Sequence, residues 1–167
     1  FLNHQIDVAF MSALGEEIAR RFSSDSITKV LTVEASGIAI ALATAHKLGD
    51  IPVVFAKKSQ SVNIDGDTYV AEVDSYARGK HTRVMISKKY LTPADRVLII
   101  DDFLANGSAL NALIDLCGQA GATVVGAGVA IEKAYQGGGD LIRSMGVRVE
   151  ALARVASMSV ADGIRFC

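Results

Sequence analysis

Val97-Leu98-Ile99-Ile100-Asp101-Asp102-Phe103-Leu104-Ala105-Asn106-Gly107-Ser108-Ala109 decides how this chain is read. Four apolar β-formers run straight into two adjacent carboxylates. A short loop holding Gly107 and Ser108 follows. Beyond it Leu110, Leu113, Ile114 and Cys117 fall at i, i+3, i+4 and i+7, one apolar face of a helix. The segment therefore reads strand, acidic turn, small-residue loop, helix N-terminus.

A helix start of this kind binds anions. Its first amide groups have no intrahelical acceptor, and the macrodipole adds partial positive charge. Gly107 lets backbone approach a phosphate, and Ser108 adds a hydroxyl donor. The two acids upstream would repel a bare phosphate. They suit a ligand that offers hydroxyls, or a metal, a few ångströms away from its phosphate. Ribose 5-phosphate has that shape, with Asp101 and Asp102 at the 2′- and 3′-hydroxyls and Ala105, Asn106, Gly107, Ser108 and Ala109 around the phosphate. A buried strand–helix turn with an Asp cap explains one of these acids but not the whole pattern.

The surrounding chain supplies a frame for such a site. Its 167 residues are enough for one domain with a real core. Half are apolar and 21% charged, which is globular composition. A net charge of −1 argues against a broad nucleic-acid surface. The two cysteines, Cys117 and Cys167, form no disulfide framework, and Cys117 belongs to the apolar helix face. A cytoplasmic setting fits this usage. No apolar run approaches the roughly 20 residues of a membrane span, and no signal peptide is visible. The start at Phe1, without Met, reads as a fragment or processed form with residues missing before it.

Along the chain, Asp7 caps a helix with Met11, Leu14, Ile18 and Phe22 on its apolar face. Strands are expected over 27–33, 52–56, 68–75, 82–87, 97–100, 123–131 and 147–155. Helices are expected over 38–48, closed by Gly49, over 107–120, stopped by Gly121, and over 139–145. Residues 160–167 carry no clear signal. Alternating strands and helices imply an α/β domain with a mostly parallel sheet flanked by helices. Ligands bind such sheets at the carboxyl ends of the strands. Every chemically suggestive loop, 34–37, 57–58, 101–109 and 132–137, follows a strand.

The strand, acid pair and small-residue loop resemble the fingerprint of the type I phosphoribosyltransferases. The resemblance extends to Phe55-Ala56-Lys57-Lys58, Ile131-Glu132-Lys133 and Val149-Glu150-Ala151-Leu152-Ala153-Arg154. It implies a single domain over residues 1–167 with that fold, carrying a flexible lid hairpin and a small hood whose N-terminal segment is truncated here. It implies transfer of a phosphoribosyl group from 5-phosphoribosyl 1-pyrophosphate to a purine, with Mg²⁺ carried by the donor and no resident metal site. Asp101 and Asp102 would then act at the ribose in catalysis.

Ser36 and Gly37, in a loop that often carries a non-proline cis peptide in this family, would meet the pyrophosphate together with Lys58. The family often shows Ser where Ala35 stands, and a third cation where Gln60 stands, so a second lysine contact is missing. Arg78, Lys80 and His81 suit a lid closing on an anionic ligand. Lys133 matches the lysine that meets a purine carbonyl in the oxopurine branch. Phe1 to Asp7 resembles the segment whose Asn, here Asn3, contacts the base in xanthine-using bacterial members. The implied acceptor is xanthine, and homodimers are usual in the family. A salvage enzyme preferring guanine, hypoxanthine or adenine, or a regulator that only senses the donor, are the alternatives. Taken without the family, Lys57-Lys58 is a solvated strand end, Glu132-Lys133 an ion pair, and Ser36-Gly37 plain turn chemistry.

Overall fold

The computed structural model describes residues 4–59, 67–75 and 80–167. Its centre is five parallel strands: β1 (Lys29–Val33), β2 (Val53–Ser59), β5 (Arg96–Leu104), β6 (Thr123–Lys133) and β7 (Val149–Ser159). With β3 (Thr68–Ser75), β4 (Lys80–Ser87) and β8 (Gly163–Phe166) the sheet order is β3-β4-β2-β1-β5-β6-β7-β8. The three outer strands are antiparallel to their neighbours. The α/β expectation holds, with an antiparallel margin on each side of the parallel centre.

Burial on both faces explains the unbroken apolar runs in β5 and β6, where five and five consecutive residues are buried. On one face α3 (Ser108–Ala120) packs Leu110, Leu113 and Leu116 against Leu31, Val97 and Ile99. On the other, α1 (Val8–Arg21) and α2 (Gly37–Lys47) bring Met11, Ile18, Ile40 and Ala41 onto Val30, Leu98 and Ile100. Each such side chain taken fully out of water contributes roughly 1.5–3 kcal/mol. Asp7 caps α1 as its sequence position predicts, its carboxylate accepting from the Phe10 amide at 3.0 Å. Cys117 is a core residue, and burial pushes its thiol up to about 12.

Several strands outrun their predicted limits. β5 continues through Leu104, so Asp101 and Asp102 lie in the strand and not in a turn after it. The reason is β6 alongside, where Asp101 is registered with Val129 and Phe103 with Ile131. β2 likewise runs through Lys57 and Lys58 to Ser59 because β4 pairs with that end, Lys58 opposite Val84. The lysines are therefore ladder residues at the carboxyl end of the strand, within its last three positions. The final residues form β8, an edge strand on β7. β3 and β4 make the predicted hairpin. Its tip, including Arg78, lies outside the described residues.

Candidate functional site

The carboxyl ends of β1, β2, β5 and β6 meet at one edge of the sheet. Here alternation decides which side chain faces which way. Asp101 and Lys58 share a face, and the Lys58 charge reaches Asp101. Lys57 points to the other side, where it lines a separate cavity with Val53, Phe55 and Tyr90. The structure thus separates the two lysines and places only Lys58 beside the acids.

Asp101 is 5% exposed. Its Oδ1 accepts from the Asp102 amide at 2.9 Å. Burial, followed by the adjoining Asp102 carboxyl, pushes Asp101 up to about 8, against a partial counter-effect from Lys58. The shift favours the protonated form of Asp101 in the free site, which can donate to a hydroxyl. Asp102 stands half-buried at the same strand end.

Beyond Leu104 the backbone turns through Ala105–Gly107 into α3. Gly107 sits in the left-handed region at φ 86°, where a side chain would be strained. Ser108 opens the helix. Its amide and hydroxyl both donate to Asn106 Oδ1, at 3.1 and 2.7 Å. A cavity of about 220 Å³ is lined by Asp101, Phe103 and residues 105–109. A helix N-terminus, a left-handed glycine and a concave loop next to an acid pair form a place for a phosphate attached to a polyol.

A second strand–loop–helix unit lies alongside. Between β1 and α2 the Glu34–Ala35 peptide is cis, as the resemblance implies. Ser36 is the N-cap of α2 but makes no capping bond with its side chain. A methyl group on Gly37 would fall on Thr32 Oγ1 and lie 3.3 Å from Asp101 Oδ1, so Gly37 brings the two loops together. Glu34 ties this loop to β2, its carboxylate accepting from the Lys58 amide at 2.5 Å. Sequence reasoning assigned no role to Glu34 or Thr32. A buried hydroxyl inside an apolar strand is the only signal that Thr32 offered.

Lys133 ends β6 with its ammonium 5.4 Å from the centre of the Phe103 ring. Its neighbour Glu132 is not its partner. Glu132 turns to the other face and binds Arg143 and Arg154. The Glu132–Lys133 ion pair read from sequence is therefore replaced by two arginine pairs. Asn3 lies outside the described residues.

The phosphoribosyl transferase domain family matches residues 5–144. The chain belongs to the phosphoribosyltransferase family. Among curated relatives, the xanthine phosphoribosyltransferase of Bifidobacterium animalis subsp. lactis is 55% identical over 163 residues, 98% of this chain and 84% of the relative. That of Moorella thermoacetica is 53% identical, covering 95% and 81%. Of solved structures, the adenine phosphoribosyltransferase from Giardia lamblia complexed with 9-deazaadenine superposes with a TM-score of 0.78 at 27% identity, covering 89% of this chain and 81% of that one. The Trypanosoma brucei enzyme, solved with AMP, pyrophosphate and ribose-5-phosphate, shares the fold, with a TM-score of 0.78 at 20% identity over 94% and 69%. This phosphoribosyltransferase thus carries the fold and the acid-loop fingerprint together.

Proposed function

We propose that this chain transfers the 5-phosphoribosyl group of 5-phosphoribosyl 1-pyrophosphate to xanthine, giving xanthosine 5′-monophosphate and pyrophosphate in purine salvage. The observation that carries the acceptor is the activity named for relatives at 51–55% identity over nearly the whole chain. Residues 1–167 act as one phosphoribosyltransferase domain.

In this reading Ala105–Ala109 cradle the 5′-phosphate, Asp101 and Asp102 hold the ribose hydroxyls, and Ser36, Gly37 and Lys58 meet the pyrophosphate. The C1′–oxygen bond breaks as a purine ring nitrogen forms its bond to C1′ and gives up its proton. The sugar passes through an oxocarbenium-like state, so catalysis is mainly positioning and charge stabilisation. The half-buried Asp102, beside the buried Asp101, supplies oxygen donors suited to a hard divalent ion. Mg²⁺ arriving with the donor would supply charge neutralisation at the leaving pyrophosphate, with Asp101 and Asp102 nearest to it.

Lys133 presents a cation to the 6-oxo group of the base, and Asn3 meets the 2-oxo edge. An amino group at position 6 would leave the ammonium unpaired, which disfavours adenine. The chain works as a cytoplasmic homodimer. The exposed Ile6, Val8 and Leu42 border an apolar groove between α1 and α2 that supplies a face for a second copy. Among the described residues, no helix is long and apolar enough to cross a membrane.

Pyrophosphate release measured with xanthine, guanine, hypoxanthine and adenine tests the assignment. Xanthine is expected to be used best and adenine least. Lys133→Met is expected to cost about 1–3 kcal/mol with each 6-oxopurine and to narrow the gap to adenine. Adenine as the best acceptor, or unchanged selectivity in the variant, overturns it.

A further inference from the structure

Glu132 is 1% exposed, deeper than Asp101, and its side chain pairs with Arg143 and Arg154, neither of them assigned to substrate. Arg143 meets it as a fork, Nη1 to Oε1 at 2.8 Å and Nη2 to Oε2 at 2.7 Å. Arg154 of β7 adds a third contact, Nε to Oε2 at 3.0 Å. Arg143, foremost, holds the Glu132 carboxyl below the usual range despite its burial. Such a fork is geometrically demanding, and removing one member leaves a buried charge uncompensated.

Arg143 belongs to α4 (Gly138–Ser144), a helix of two turns, too short to hold by itself, which Ile142 anchors in the core and Arg143 ties to β6. The first residue of α4 lies against the phosphate loop. The Gly138 amide donates to the Ala105 carbonyl at 3.1 Å. A methyl group on Gly138 would land on that carbonyl oxygen and on the Gly107 nitrogen. One on Gly107 would lie 3.2 Å from the Gly138 carbonyl oxygen. One on Gly139 would strike the Glu132 carboxylate. Backbone thus meets backbone where α4 abuts the loop, and the Glu132 carboxylate and Arg143 close in on Gly139 behind it.

We propose that Glu132, Arg143 and Gly138 are positioning residues for the donor's 5′-phosphate. The arginine fork fixes α4 on β6, and α4 in turn fixes the curvature of Ala105–Gly107. The inference rests on the assignment of that phosphate to residues 105–109. None of the three residues touches substrate. Their effect passes through the direction of the loop's amide groups.

Calorimetry with two fragments of the donor separates this role from general stability. Ribose 5-phosphate engages the loop after β5, and pyrophosphate engages the loop after β1. Gly138→Ala is expected to weaken ribose 5-phosphate by about 10- to 100-fold, as a misplaced binding group does, and to leave pyrophosphate affinity unchanged. Its KM for the complete donor rises while kcat and the KM for the purine hold. Arg143→Lys keeps the charge, loses the fork and folds more readily, and it is expected to show the same split on a smaller scale. Equal loss of both ligands, or unchanged ribose 5-phosphate affinity in both variants, overturns the positioning role. Ribose 5-phosphate binding that survives Gly107→Val instead overturns the phosphate assignment beneath it.

Discussion

Two strand–loop–helix units face each other at the site, and they are built differently. The loop after β5 turns on one left-handed glycine, Gly107, and is backed by Gly138 of α4. The loop after β1 has a cis peptide at Glu34–Ala35, a capping serine that makes no side-chain bond, and Gly37 pressed against Thr32. One is a cradle set by local backbone and a buttress. The other is held by its neighbours, through Glu34 to the Lys58 amide and through Gly37 to β1. Two strand–loop–helix units of one sheet can therefore be held in place differently, with the difference residing in what packs behind them.

The sharpest way to break this comparison is Gly107→Val. A β-branched residue at φ 86° is strained and would press on Gly138. Ribose 5-phosphate binding is expected to fall by more than the roughly 100- to 1000-fold that one oriented donor supplies, while pyrophosphate still binds. Calorimetry on the folded variant checks both. Next in size are Asp101→Asn and Asp102→Asn. Each is expected to raise the barrier by about 3 kcal/mol, on the order of 100-fold in kcat, with the circular dichroism spectrum unchanged. Near-normal turnover in the double variant would remove the acids from the ribose.

Asp101 also gives a stability signature. Its folded value of about 8 exceeds the ordinary 3.8, so between these the folded chain binds the extra proton. The stability it contributes is complete below about pH 4 and is lost as pH rises towards 8. Asp101→Asn removes that loss. The Tm of the variant is expected to gain on the unsubstituted chain as pH rises from about 4 to about 8, and parallel Tm profiles would contradict the burial argument. The smallest effect is expected from Ser36→Ala. A capping serine is worth about 1 kcal/mol, but Ser36 makes no capping bond, so denaturant unfolding should shift by less than about 0.5 kcal/mol.

Periodicity and punctuation located nearly every element, because apolar spacing and glycine stops act within one segment. The α1 cap at Asp7, the α3 face ending at Gly121, and the β3–β4 hairpin all follow from neighbours within a few residues. The ends of β5, β2 and β6 did not, because those residues are extended by a partner strand distant in sequence. The acids and Lys58 were legible as chemistry but not as strand residues. Their choice of face depends on register, which separates Lys58 from Lys57.

By itself, the sequence determined the α/β class, the acid pair followed by a glycine loop and helix start, and the cationic residues near it. Those properties are local, set by side-chain type and spacing. Only the tertiary structure decided that Asp101 would be buried enough to hold its proton, and that Glu132 would desert Lys133 for two arginines. It also decided that Gly138 would stand directly behind the loop after β5. Desolvation, partner choice and backbone contact depend on atoms brought together from segments tens of residues apart, and no local pattern contains them.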